Sequence, residues 1–150
     1  MPKKVADTAP GGANCVGENV SPQLSWTGVP PGTRSFALTV TDAEGRLGAG
    51  FVHWVAYGIP AEMTGLAEGE ASRPSDKFVA GKSDKGGATY GGPCPPTGSP
   101  HHYVFEVMAT DLEPAALPPG LSAQDLSARL AGHRKGAAGL VGEFVNPYPN

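Results

Sequence analysis

The chain has 150 residues and a formal net charge of -3, from 11 basic and 14 acidic side chains, without the basic stripe that a nucleic-acid partner demands. No apolar run approaches the roughly 18 residues that span a bilayer, and Met1-Pro-Lys-Lys lacks the apolar core of a signal peptide. The length and lack of a targeting signal therefore lead us to expect a cytoplasmic protein: a flexible N-terminal segment over residues 1–13, then one domain over residues 14–150.

The 22 glycines and 16 prolines fall between apolar runs, the pattern of many short strands joined by turns. Asn19-Val-Ser-Pro22 leads into a short strand, Leu24-Ser-Trp26, and Val29-Pro-Pro-Gly32 reads as a turn. Ser35 to Thr41 is the clearest strand: Phe36, Leu38 and Val40 fall on one face, and period two carries Asp42 onto it. A glycine-rich hairpin loop, Gly45 to Gly50, returns into Phe51–Tyr57. Strict alternation there puts Phe51, His53, Val55 and Tyr57 on one face and Val52, Trp54 and Ala56 on the other. Both faces are largely apolar, which predicts a central strand covered on both sides. Residues 60–89 carry one short strand signal, Phe78-Val-Ala80.

The loop Tyr90-Gly-Gly-Pro-Cys-Pro-Pro-Thr-Gly-Ser-Pro-His-His-Tyr103 is stiffened by its prolines, so holding it in one shape costs little entropy. It runs into a strand, Tyr103 to Ala109, with His101, Tyr103, Phe105 and Val107 in phase. Residues 122–134 predict the one clear helix, with Ser122 as N-cap, Asp125 in the first turn, Leu126 and Leu130 at i, i+4, and His133-Arg-Lys135 favouring its end. Leu140–Val145 reads as a closing strand before a Pro-rich tail. Cys15 and Cys94 are too few for a four-ligand zinc site. They could pair, closing a long loop, although a cytosolic compartment keeps thiols reduced.

The polar groups suited to chemistry are Asp42, Glu44, His53, His101, His102 and Tyr103, with backbone N–H groups of the Gly91-Gly92 turn. Each has a plainer role: Asp42 could cap a turn, and His53 could be a satisfied core histidine. Convergence favours a site, because Asp42 and His53 flank one hairpin while His101 and Tyr103 pair on one strand face. Imidazoles, a phenol and free N–H groups suit an oxyanion such as phosphate. Two histidines and a carboxylate could also hold a metal, but no H-x-H or H-x-x-x-H spacing supports one, and no cofactor or metal is expected. Cys94 lacks a thiolate-stabilising neighbour, and nucleophile-elbow, P-loop and dinucleotide motifs are all missing.

Taken in order, Gly17-Glu-Asn-Val-Ser-Pro22, Leu24-Ser-Trp26, Asp42-Ala-Glu44, His53-Trp54, Tyr90-Gly-Gly-Pro-Cys-Pro-Pro96 and His101-His-Tyr103 resemble the phosphatidylethanolamine-binding protein family. The nearest branch is the bacterial and archaeal one of Raf-kinase-inhibitor-like proteins, and the resemblance covers roughly residues 14–145. It implies an antiparallel β-sandwich with one or two short helices, and a small anion pocket at one end. The implied ligand-binding residues are Asp42, Glu44, Phe51, His53, Gly92, Pro93, Pro95, Pro96, His101 and Tyr103. Against the family pattern, Ala43 replaces a proline, Glu44 an aspartate and His102 an arginine, removing a permanent charge. Lys82-Ser-Asp-Lys85 lacks the usual asparagine and aromatic, and the family's first strand has no counterpart here. The expected function is non-enzymatic binding of a phosphate-type ligand or headgroup, with regulation of a partner protein. Inhibition of a kinase or protease, acid–base catalysis in the same pocket, and a homodimer stand as alternatives.

Overall fold

The structure, a computed structural model, is described for residues 1–8, Cys15 and 17–147. Its framework is a five-stranded antiparallel sheet in the order β5-β3-β2-β6-β7. These strands are β2 (Ser35–Asp42), β3 (Phe51–Pro60), β5 (Val79–Ala80), β6 (Pro100–Thr110) and β7 (Arg134–Val145). A two-stranded ribbon of β1 (Leu24–Ser25) and β4 (Gly65–Leu66) covers one face. The helix α2 (Ala123–Leu130) covers the other, and α1 (Gly45–Gly48) is a single kinked turn between β2 and β3.

Alternation within β2 builds both layers. Phe36, Leu38 and Val40 meet Leu24 and Leu66 of the ribbon, with Trp54, Tyr103 and Phe105 from the neighbouring strands. Ala37, from the opposite face, meets Val55, Tyr57 and Met108 beneath Leu126 and Leu130. Those two leucines are fully buried, and each contributes about 1.5–3 kcal/mol. Ser122 caps α2 by accepting the Asp125 N–H at 3.1 Å. The mainly β sandwich with one substantial helix is therefore the observed architecture.

Two expectations need correction. First, strict alternation fails in β3. Val40 pairs with Trp54 but Thr41 pairs with Val52, so His53 is an extra, bulged residue. The bulge returns Trp54 and Ala56 to the face of Phe51 and His53, and sends Val55 and Tyr57 to the helix side. A hydrophobic count cannot see this, because both faces of the strand are apolar.

Second, α2 ends at Leu130, since Gly132 adopts the left-handed conformation (φ 80). β7 then begins at Arg134, earlier than its apolar end at Leu140 suggested. His133-Arg-Lys135 therefore lies past the helix, with His133 Nδ1 2.7 Å from Asp111 Oδ1.

The flexible segment expected over residues 1–13 falls outside the described residues from 9 to 13. Before it, Lys3–Val5 forms a 3-10 turn, and Val5 and Ala6 are buried. The Pro-rich tail past Pro147 also lies outside the described residues.

Candidate functional site

The register places the site at one end of the sheet. Asp42 ends β2 opposite Phe51 on one side and Tyr103 on the other. Alternation from Phe51 puts His53 on the same face, between the rings of Phe51 and Tyr103 at centroid distances of 5.2 Å each. His101, two residues before Tyr103 on β6, completes the face. Together these side chains line a cavity of about 500 Å³, closed by Cys94, Pro95 and Pro96 and rimmed by Glu44, Arg46 and Lys85.

Asp42 has two duties. Its Oδ1 accepts the N–H groups of Glu44 and Gly45 at 3.0 and 3.1 Å, which is the turn-capping role. Its Oδ2 lies 2.7 Å from His101 Nδ1, fixing that ring with Nδ1 protonated and Nε2 as its remaining polar atom. His53 is held the same way, Nδ1 donating to Gly91 O at 3.0 Å. Burial, helped by the charge of Lys85, lowers the His53 pKa to about 4. At neutral pH His53 is therefore uncharged and its Nε2 is an acceptor.

Tyr103 carries the most telling feature. Its side chain is buried, and its hydroxyl makes no hydrogen bond of ordinary geometry, although the Asp42 carboxylate lies close enough to act on it. Burial first, and the charge of Asp42 second, push the phenol up, so it stays protonated as a donor. A buried hydroxyl so placed at a cavity wall costs about 1–3 kcal/mol unless a ligand or solvent satisfies it.

The departures from the family pattern form a unit of their own. Glu44 Oε2 accepts the His102 N–H at 2.7 Å and Oε1 lies 2.6 Å from His102 Nδ1. The His102 backbone N–H, and then its ring, lower the Glu44 carboxyl to about 2, and Glu44 in turn raises His102. Asp42, Glu44 and His101 bring donor atoms within 4.8 Å of one another, but each already has a partner inside the protein.

The structure brings Asp42, Glu44, Phe51, His53, Pro95, Pro96, His101 and Tyr103 onto one cavity. Gly92 and Pro93 stand behind its wall instead, where Gly92 N–H donates to Asn19 Oδ1 at 2.7 Å and Pro93 O accepts from Asp7 N–H at 2.9 Å. The Gly92 N–H, expected as an anion donor, is thus committed to Asn19. Sequence reading missed the roles of Asn19, Lys85 and Arg46. Asn19 clamps the loop from both sides, its Nδ2 donating to Tyr90 O at 3.1 Å, and it does so from a left-handed conformation (φ 52) that asparagine adopts more readily than most residues. Lys85 reaches the rim while holding Asp7 Oδ2 at 2.5 Å and Gly92 O at 3.0 Å. Cys94, in the wall, is bridged to Cys15 with a Cα–Cα distance of 5.6 Å.

A family model described as phosphatidylethanolamine-binding protein matches residues 3–145. The chain belongs to the phosphatidylethanolamine-binding protein family. Within it, a UPF0098 protein of Methanothermobacter thermautotrophicus is 42% identical over 132 residues, covering 87% of this chain and 85% of that relative. A UPF0098 protein of Aquifex aeolicus is 38% identical over 132 residues, 87% of this chain and 77% of that relative. Escherichia coli YbcL, whose crystal structure is described as that of a new member of the mammalian family, superimposes with a TM-score of 0.86 at 34% identity. That match covers 97% of this chain and 90% of YbcL. No helix among the described residues is long and apolar enough to cross a membrane.

Proposed function

We propose that this member of the phosphatidylethanolamine-binding protein family binds a phosphate monoester, free or as a headgroup, in the cavity bounded by Phe51, His53, His101, Tyr103 and Pro95–Pro96. The Tyr103 hydroxyl carries the reading, because it is a fixed, buried, protonated donor at the cavity wall with no bond of ordinary geometry, beside the Asp42 carboxylate. Lys85 and Arg46 stand at the rim, each sharing its charge with an aspartate, Asp7 at 2.5 Å and Asp84 at 3.2 Å, and Phe51 and the prolines supply dry walls. Neutral His53 adds a requirement: its Nε2 accepts, so the best ligand oxygen there bears a proton. The monoanion of a phosphate monoester offers both acceptor oxygens and one P–OH, and its second pKa lies near 6.

Catalysis is the weaker use of these groups. A histidine with a pKa of about 4 accepts protons poorly at neutral pH, and a phenol pushed upward is a poor acid. The Cys15–Cys94 bridge also favours an oxidising compartment over the cytoplasmic default.

Calorimetric titration with inorganic phosphate and with phosphoethanolamine near pH 6 tests the proposal. We expect binding in wild type and at least about tenfold weaker binding in Tyr103→Phe, the usual cost of one hydrogen bond to a charged group. No heat and no shift of the His53 or His101 ring NMR signals up to tens of millimolar ligand would refute it.

A further inference from the structure

The Cys15–Cys94 bridge stands in the cavity wall, and its two sulfurs sit in unlike surroundings. Cys94 is half-buried and lines the cavity, whereas Cys15 is buried, at 5% exposure. A thiolate attacks the disulfide sulfur it can reach, and the electron pair leaves on the other one. Access therefore selects Cys94 as the sulfur attacked and Cys15 as the leaving group. Cys94 needs no thiolate-stabilising neighbour for this role, because its sulfur receives the attack rather than making it.

The loop that carries Cys94 is tied down on both sides of it by hydrogen bonds that owe nothing to the bridge. Before it, Asn19 holds the Tyr90 carbonyl at 3.1 Å and the Gly92 N–H at 2.7 Å, and Pro93 O accepts the Asp7 N–H at 2.9 Å. After it, Asn146 Nδ2 donates to Pro95 O at 3.1 Å. Pro93 and Pro95 restrict the backbone on either side as well. Cys94 thus keeps its place at the cavity when the S–S bond opens. The cavity, at about 500 Å³, has room for a substituent of several atoms on that sulfur. With its Cα 5.6 Å from that of Cys94, the released Cys15 thiol stays within bridging distance and can close the bond again.

We propose that Cys94 is a thiol-exchange site for low-molecular-weight thiols that enter the cavity. The thiolate of the entering molecule bonds to Cys94 Sγ, the S–S bond breaks, and the electron pair leaves on Cys15 Sγ, which takes a proton from solvent. The products are a mixed disulfide on Cys94 and a thiol on Cys15, with no net oxidation or reduction. The attached group projects into the space bounded by Phe51, His53 and Pro95. Return attack by Cys15 expels it and restores the bridge, so the modification is reversible. The exchange rests on the placing of the two sulfurs and not on which oxyanion the cavity binds.

Treating the folded, oxidised protein with 2-mercaptoethanol, quenching with acid and mapping the peptides by mass spectrometry tests the proposal. The early product should carry the mercaptoethanol group on Cys94 and a thiol on Cys15, and should form at a rate proportional to the thiolate. About 1 M urea, below the unfolding transition, should change that rate by less than about twofold, whereas exchange through the unfolded chain would speed up at least about fivefold. In Cys15→Ser, which lacks the resolving thiol, 2-hydroxyethyl disulfide should leave a lasting adduct on Cys94. An adduct on Cys15 in wild type, or a urea acceleration of the size expected for unfolding, overturns the proposal. So does a folded wild-type protein that stays unreacted at thiol concentrations that open the bridge of the urea-denatured chain, or a folded Cys15→Ser that takes up no adduct.

Discussion

Burial of His53 should leave a signature in the stability of the protein against pH. In the folded chain the imidazole is held neutral down to a pKa of about 4, against 6.5 for the ordinary side chain. The folded value is depressed, so the unfolded chain takes up a proton first as pH falls. Stability is thus complete above the unfolded value, and is lost as pH falls from about 6.5 towards 4. A separation of about two and a half units corresponds to roughly 3 kcal/mol, most of it gone by about pH 4.5. Urea unfolding at pH 7.5 and 4.5, in wild type and in His53→Gln, isolates this group from the other carboxylates and histidines. Wild type should lose about 2–3 kcal/mol more than the variant over that interval. Equal losses in the two proteins would mean that the ring is solvated or charged in the fold, and the acceptor role assigned to its Nε2 would fail with it.

Reduction of the Cys15–Cys94 bridge, which joins residues 79 apart, should cost about 4–5 kcal/mol on the chain-entropy account. In a domain of this size that lowers the melting temperature by roughly 10–20 °C. Two free thiols in the denatured, unreduced protein, or an unchanged melting temperature after full reduction, would contradict it. In Gly92→Ala the new methyl would lie 2.2 Å from the Val5 carbonyl oxygen, so the N-terminal segment must move. We expect loss of the Tyr90 hydroxyl bond to Val5 O, seen as faster exchange of that hydroxyl and a lower melting temperature. Phosphate affinity in Leu126→Ala should stay within about twofold of wild type, while stability falls by about 2–5 kcal/mol in urea, because this side chain packs on the face away from the cavity.

What the sequence showed and what it hid divide along one physical line. The alternation of Phe36, Leu38 and Val40 placed Asp42 correctly, because period two survives wherever one ladder runs unbroken through β2 and β6. The phase of His101 with Tyr103 on β6 was legible for the same reason. The bulge at His53 was not, since an inserted residue leaves no trace where both strand faces are apolar. The first half of β7 was hidden too: Gly136 to Gly139 carry almost no hydrophobic contrast, and only pairing to β6 makes them a strand. The contribution of Lys85 and Asn19 depends on contacts with Asp7, Gly92 and Tyr90 far along the chain, which no local pattern encodes.

A phosphate proposed for this cavity must tolerate two carboxylates beside it. Asp42 spends one oxygen on the turn N–H groups and the other on His101, while Glu44 spends both on His102. Neither carboxylate is left with an unshared face to repel a phosphate. The replacement of arginine by histidine at 102 fits this arrangement, because the shorter ring reaches Glu44 within its own strand end and leaves the rim's cationic role to Arg46 and Lys85. On the proposed reading, the lost permanent charge at 102 is offset in part because His102 occupies both Glu44 oxygens, while Arg46 and Lys85 at the mouth share their charge with Asp84 and Asp7.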